Sequence, residues 1–586
     1  MKTFVLLSLV LSFISSGNLF AQSNDAAFDK FAEEFIGGWL AARPLQGTAL
    51  GFHEYDGKIN DFSRPAIDGE IARLKQFNER AKKFDASKLS ARASVDLRIL
   101  RAAIDGELFR IEEMKVFERN PMTYVEVFDI NIYVKRNFAP LDDRVRSLTA
   151  IENQVPNLIA AAKTNLQEKL PKPYVELAID ITKGSADFLR KDLVDALKDL
   201  KDEQLMAQFR ATNEKAAAAL QEYADWLAKE KLPKATNDFA LGRDKFRRFI
   251  SRTELVDLTP EKILEIGTRT LKNEQQAFAD AAKKIDPSKS APEVFKQIQS
   301  EHPTPESLIP DVAKDLETIR QYLLDHHIIT VPSEVRAQVT ETPQYQRATS
   351  FASMDTPGPF EAKATEAYYY VTPTEKEWTD KQKEEWLTSF NYYTSDVVTI
   401  HEAYPGHYVQ FLRLKASSAS KAEKIFGSYA FIEGWAHYSE KMLVDEGFGS
   451  CNCPNLTPEQ ALRAAKYRMA QADEALLREC RLCVSIKMHT QGMSVDDATK
   501  FFQQNCYYEE KPARSEAMRG TFDPGYLNYT LGKLQILKLR DDYKRQEGAN
   551  FSLQKFHDEM TDHGMPPIRL LRETMLKDKS KWNEVL

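Results

Sequence analysis

Apolar residues recur every three or four positions along most of this chain, within long stretches rich in Ala, Leu, Glu, Lys and Gln, while the strict alternation of a half-buried strand is scarce. This periodicity predicts helices over about 25–43, 65–86, 90–114, 142–171, 173–198, 201–230, 260–285, 306–327, 391–413, 417–447, 458–489, 494–504, 528–547 and 565–576. Several starts carry capping chemistry. Thr457-Pro458-Glu459-Gln460 offers a hydroxyl cap, a proline where a missing N–H costs nothing, and a Gln three residues beyond the cap; Thr259-Pro260-Glu261 repeats the first two features. No internal repeat is present, so the helices do not form a repeat solenoid. The least helical stretch is 329–374, where prolines interrupt short β-prone pieces and Tyr368, Tyr369, Tyr370 and Val371 make an extended apolar strip. It is expected to form a small sheet or extended insertion, either facing substrate or packed as a surface flap. The expected fold is mainly α: a large two-lobed multi-helix body with a cleft and a small β-containing insertion. The lobes are placed at 22–245 and 246–586.

Composition narrows the class. With 586 residues, 42% of them apolar, the chain can bury large cores. Lys plus Arg at 80 against Asp plus Glu at 87 gives a net charge of -7, so there is no general electrostatic reason to bind nucleic acid or anionic lipid, and no nucleic-acid partner is expected. Residues 1–21 combine Lys2, an apolar run from Phe4 to Ile14 and a small polar stretch ending at Ala21, the pattern of a secretory signal peptide. A periplasmic or secreted location follows, with no stable transmembrane anchor after cleavage, because no later run is long enough to cross a bilayer. Cys451 and Cys453 form a CxC, Cys480 and Cys483 a CxxC within a helical stretch, and Cys506 stands alone. These fit either a four-thiolate zinc site or ordinary disulfides and free thiols.

Reactive side chains concentrate in 401–440. Residues 400–411 read IHEAYPGHYVQF and residues 431–441 read FIEGWAHYSEK. His401 and His407 offer two imidazoles and Glu433 a carboxylate, which together leave a zinc ion an open fourth position for water; Glu402, beside the first imidazole, is the candidate general base. His401 and His407 are six residues apart, about 120° around an ideal helix, so a regular helix would not converge them. Pro405 cannot donate to a carbonyl a turn back and Gly406 is permissive, which predicts a bulge or broken turn that returns His407 to the site. Glu433, His437 and Glu440 fall at i, i+4 and i+7 on one helix face flanked by Tyr429, Phe431, Ile432, Trp435 and Tyr438. On that face His437 is a donor to substrate or to a ligand, and Glu440 orients an imidazole. Further candidates are His489, and Arg519, Tyr526 and Tyr529 within 516–533, EAMRGTFDPGYLNYTLGK. A phenol or imidazolium there could stabilise an oxyanion, and Arg519 could hold a substrate carboxylate. Tyr369, on the apolar strip, is a candidate substrate contact.

HEAYPGHYVQ at 401–410, FIEGWAHYSE at 431–440 and RGTFDPGYLNYTLGK at 519–533 resemble the bacterial family known as domain of unknown function 885. LGFHEYD at 50–56 and the KFHDEM and GMPP segments near the end fit it too, so the resemblance covers nearly the whole mature chain. That family is similar to helical zinc metallopeptidases of the gluzincin kind, with a substrate cleft between mainly helical lobes. The resemblance implies His401, His407 and Glu433 as zinc ligands and Glu402 as base, and two extra residues between the histidines depart from the usual peptidase motif. The function expected is zinc-dependent cleavage of peptides or small proteins. The alternatives are hydrolysis of another amide, such as a cell-wall peptide, and an exported noncatalytic protein that binds metal or peptide. Oligomeric state is not written in the sequence.

Overall fold

The computed structural model describes residues 24–126, 130–344, 347, 350–451, 453 and 455–586; the expected leader at 1–21 lies outside them. The described chain is mainly helical with one small sheet. Its helices include α1 Lys172–Arg190, α2 Glu203–Trp226, α3 Pro260–Ile285, α4 Tyr392–Glu402, α5 His407–Ala416, α6 Tyr429–Asp445, α7 Pro458–Thr490, α8 Glu510–Phe522, α9 Asn528–Glu547 and α10 Leu553–Asp562. No helix among the described residues is long and apolar enough to cross a membrane.

Apolar stripes at helical spacing bury α1 against α2, α3 against α7, and α6 against α9. Three cores result. One is built from residues such as Phe35, Leu97, Leu148 and Phe209, and also takes in Ala364, Ala422 and Leu570 from far along the chain. A second gathers Leu316, Tyr369, Ile400, Phe431, Trp435 and Ile536, and a third Phe246, Phe278, Met469, Leu482 and Leu531. Glycine sets the closest approach between helices. A Cβ on Gly532 of α9 would lie 1.8 Å from the Ala430 carbonyl oxygen of α6, and one on Gly434 would lie 2.5 Å from the Gly532 Cα. The two backbones therefore touch, which brings the site residues of α6 and α9 side by side.

The 329–374 stretch does form a sheet. β1 (Ala337–Glu341) runs parallel to β3 (Ala367–Val371), β2 (Ala352–Asp355) runs antiparallel to it, and the order is β1-β3-β2. The central strand carries the apolar strip, with Tyr369, Tyr370 and Val371 buried.

Four predicted helices are divided. The stretch 391–413 breaks into α4 and α5, 417–447 into Lys421–Ile425 and α6, 173–198 into α1 and Asp192–Ala196, and 142–171 into Leu141–Glu152 and Val155–Asn165. The capping Ser420 and Ser428 mark the two starts in the second case, each hydroxyl accepting a backbone N–H of the following turn. Other helices escape the periodic pattern. Arg243–Thr253 buries only Phe246 and Ile250 among many charges, and α8 buries the small residues Ala513, Ala517, Gly520 and Thr521, with Pro512 in its first turn.

The four-thiolate site does not form. Cys451 and Cys453 are bonded to each other, while Cys480, Cys483 and Cys506 are separate buried thiols. Burial pushes the Cys483 thiol up to about 11 and the Cys480 thiol well above its usual range, so both stay protonated and neither is a ready metal ligand.

Candidate metal centre

The break between α4 and α5 creates the site. Gly406 donates its N–H to the Ile400 carbonyl at 3.0 Å, and the Tyr404–Pro405 bond is cis. A Cβ on Gly406 would fall 1.7 Å from the His401 carbonyl oxygen, so only glycine lets the chain fold back on the end of α4. α5 then begins at His407. Thus His401 sits in the last turn of one helix and His407 opens the next, with ring centroids 4.9 Å apart and planes at 89°.

α6 supplies the third group. Glu433 Oε2 lies 3.6 Å from His401 Nε2 and 3.5 Å from His407 Nε2. One ligand atom from each of the three residues falls within 4.8 Å of the others. Tetrahedral zinc with bonds of roughly 2.0–2.1 Å separates its ligand atoms by about 3.3–3.4 Å, so the two carboxylate-to-imidazole edges need little adjustment to hold one. Glu433 Oε2 is buried and has no hydrogen-bond partner, an arrangement that a cation would relieve. Burial opposes ionisation of Glu433, yet His407 and His401 hold its carboxyl well below the usual range. Burial would likewise lower His401, but Glu433 and Glu440 raise it to about 9. A proton on His401 therefore occupies the position a metal would take, and metal binding would release it.

Glu440 anchors the other side of the first imidazole. Its Oε1 lies 2.6 Å from His401 Nδ1, its Oε2 lies 3.2 Å from His437 Nδ1, and Arg478 Nη2 approaches Oε1 at 3.3 Å. Although burial works against it, Arg478, His437 and His401 keep this fully buried carboxyl ionised. A carboxylate at Nδ1 fixes the ring and leaves Nε2 to face Glu433. Glu440→Gln is expected to lower zinc affinity by about 10–100-fold with the helices intact, as read by competition with a chromophoric chelator.

Glu402 accepts the Met354 N–H of β2 through Oε2 at 3.0 Å and is partly exposed beside the triad. Tyr529 of α9 stacks on His401, with centroids 6.4 Å apart and planes at 18°. The guanidinium groups of Arg481 and Arg519 stand 5.0 and 5.8 Å from its ring, and Tyr429 packs edge-on at 5.8 Å. Burial and the Glu433 charge raise the Tyr529 phenol, so it stays protonated and able to donate.

Other sequence candidates are placed differently. Tyr369 is 1% exposed and its hydroxyl bonds Thr399 of α4, so it lies in the core beneath that helix. His437 has no exposed surface, and burial and Lys533 push it down to about 3, so it sits as a neutral partner of Glu440. His489 lies 2.8 Å from the Gly520 carbonyl, accepts the Leu241 N–H and stacks on Phe246, and burial lowers it to about 4. Tyr526 is fully buried against Gly520, with no partner for its hydroxyl. Arg519 is already held by Asp523 at 3.0 Å and by the Tyr429 hydroxyl at 3.0 Å, so a substrate carboxylate would compete with Asp523 for it. Sequence reasoning missed Arg478, Arg481 and the Met354 amide, which have no local spacing that links them to the motif.

The start of α6 rests on a buried acid. Glu254, 2% exposed, accepts the Ser428 hydroxyl, the Ala430 N–H at 3.4 Å and the Asn528 amide at 3.4 Å. Burial outweighs these bonds and pushes its carboxyl from 4.5 up to about 7. The folded state thus favours the protonated acid, so this contribution to stability is full below about 4.5 and is lost as pH rises through about 7. Glu254→Gln is expected to flatten that loss, by up to about 3 kcal/mol, in urea unfolding compared at about pH 5 and about pH 8.

Residues 44–575 match the family described as bacterial protein of unknown function (DUF885). The chain belongs to that family. Among solved structures, the DUF885 chain is similar to "a putative lipoprotein of unknown function from Shewanella oneidensis", at 23% identity, over 94% of this chain and 100% of that one, with a TM-score of 0.77. It is also similar to "the putative lipoprotein from Colwellia psychrerythraea", at 16% identity over 96% and 99% of the two chains, with a TM-score of 0.77. Both likenesses concern the fold. A structure of Pyrococcus furiosus carboxypeptidase (Apo-Mg) aligns over 96% of this chain and 97% of its own at 12% identity, but its TM-score of 0.36 is too low to imply a common fold. No curated protein matches the DUF885 chain.

Proposed function

We propose that the protein is an exported zinc-dependent hydrolase that cleaves peptide bonds in short or unfolded peptides. The observation that carries this reading is the buried Glu433 Oε2 facing two imidazole nitrogens at 3.5 and 3.6 Å without a hydrogen bond to either, beside a second carboxylate, Glu402, that is not part of the triad. Zinc held by His401, His407 and Glu433 would acidify a water and polarise a carbonyl. Glu402 takes the proton from the attacking water and returns it to the leaving amine. The Met354 N–H on Oε2 orients that carboxylate and leaves its other oxygen for the proton. Tyr529, protonated and stacked on His401, donates its hydroxyl to the oxyanion that develops on the carbonyl.

The test is a mixed-length peptide library read by mass spectrometry after incubation with zinc-loaded and with chelator-stripped protein. Zinc-dependent new termini support the reading, and their positions separate internal cuts from terminal ones. A library left whole by fully loaded protein would contradict peptide cleavage and turn the search to other amides, such as cell-wall peptides.

A further inference from the structure

The proposed chemistry leaves two sequence motifs unused, LGFHEYD at 50–56 and KFHDEM at 555–560, and both lead to the segment that carries the sheet. Phe52 and His53 pack against the strap 356–364, which joins β2 to β3. The two backbones interlock. A Cβ on Gly51 would lie 2.3 Å from the Glu361 nitrogen, and one on Gly358 would lie 2.3 Å from the Ala49 carbonyl oxygen. Phe360 donates its N–H to Leu50 at 3.1 Å, and its ring lies 4.6 Å from that of Phe52. His53 then spans two carboxylates, with Nε2 2.8 Å from Glu361 Oε2 and Nδ1 3.1 Å from Asp56 Oδ2, and its ring stacks on Phe138 at 4.2 Å.

Glu361 is the hub of the strap. Its side chain is 3% exposed, its Oε1 accepts the N–H groups of Lys363 and Ala364 at 2.7 and 3.1 Å, and its carbonyl accepts Lys415 Nζ of α5 at 2.6 Å. Burial opposes its ionisation, but the Lys363 N–H, His53 and the Ala364 N–H together hold it below the usual carboxylate range. Arg136 grips both ends of the strap, bonding Asp355 at 2.6 Å and the Glu366 carbonyl at 2.6 Å. Asp355 is the neighbour of Met354, whose N–H holds Glu402. The second motif clamps the chain just before β1: His557 lies 2.8 Å from the Ile328 carbonyl, and Asp558 accepts the Thr330 N–H at 2.9 Å and its hydroxyl at 2.6 Å.

From this chain of contacts we infer that His53 and Glu361 are positioning residues for the general base, locking the strap so that β2 presents the Met354 N–H to Glu402; the catalytic half of this inference rests on the hydrolase reading above. Ordinary packing would not need a histidine between two acids where the N-terminal motif meets the strap. Removing His53 leaves the buried Glu361 without its side-chain partner and so loosens the strap.

The experiment is hydrogen–deuterium exchange of the intact zinc-loaded protein, followed in peptides that cover residues 350–358, for the parent, His53→Ala, His53→Gln and Glu361→Ala, with peptide cleavage measured on the same samples. His53→Ala and Glu361→Ala are expected to speed exchange across 350–358 by about tenfold or more, with α6 and the zinc content unchanged. His53→Gln, which keeps a donor for Glu361, is expected to recover part of the protection. The cleavage kcat should fall about tenfold in step with exchange, with a smaller change in KM. Unchanged exchange at 350–358, or an equal rise throughout the molecule, would overturn the inference. Should the parent cleave nothing, the hydrolase reading fails on its own, and exchange alone decides whether the strap is locked by His53.

Discussion

Glu402→Gln is expected to lower kcat for peptide cleavage by about 10²–10⁴-fold while the protein keeps its full zinc content. The substitution preserves volume and an oxygen that can accept the Met354 N–H, so β2 and the end of α4 have no reason to move. What it removes is the ability to take a proton. Glu402 is not one of the three convergent groups, so metal binding and proton transfer separate cleanly at this residue. Steady-state rates at matched metal content, fixed by elemental analysis, make the comparison. Equal rates in the two proteins would remove Glu402 from the mechanism.

The second large effect is expected at Glu433. Glu433→Ala leaves two imidazoles and a gap where the carboxylate stood, and the loss of zinc affinity should exceed the about 10–100-fold that follows removal of an outer hydrogen-bond partner such as Glu440. Ligand binding to the folded state raises thermal stability by mass action. The parent melting temperature should therefore climb with added zinc, whereas that of Glu433→Ala should stay flat over the same range. The variant also deprives His401 of one of the two carboxylates that keep it protonated without metal, so its imidazole pKa should drop from about 9, which NMR titration of the ring can follow. A variant that binds zinc as tightly as the parent would place the metal elsewhere.

Much of this site is legible in the sequence, for physical reasons. The spacing Glu433, His437, Glu440 fixes one helix face, and Glu440 does reach a histidine nitrogen, at 2.6 Å. The Pro405–Gly406 pair announced the broken turn, although not the 1.7 Å clearance at the His401 carbonyl that makes Gly406 obligatory. Side-chain chemistry alone, however, carries no depth: Tyr369, His437 and His489 looked available in sequence and are sealed in the interior. Arg478 supports Glu440 from a different helix, and the Met354 contribution is a backbone N–H, so neither leaves any trace in local spacing.

The same holds for the fold. Helices that bury large apolar residues at regular intervals were found nearly to their ends, as with α3 at 260–285 and α9 at 528–547. α8, whose buried face is mostly Ala and Gly, has no such stripe, and the apolar periodicity of 391–413 runs straight through the break that only the Pro405–Gly406 pair marks. The sheet at 329–374 was visible as an extended apolar strip, but its function as a carrier of the Met354 amide came only from its free edge facing α4.

The central claim is that His401, His407 and Glu433 together hold zinc. The most direct measurement is an anomalous-difference map from crystals of the zinc-loaded protein, recorded on either side of the zinc absorption edge. The expected result is one strong peak among His401 Nε2, His407 Nε2 and the Glu433 carboxylate, at roughly 2.0–2.2 Å from each ligand atom. A map without a peak there, or with its zinc bound only at other residues, would contradict the account.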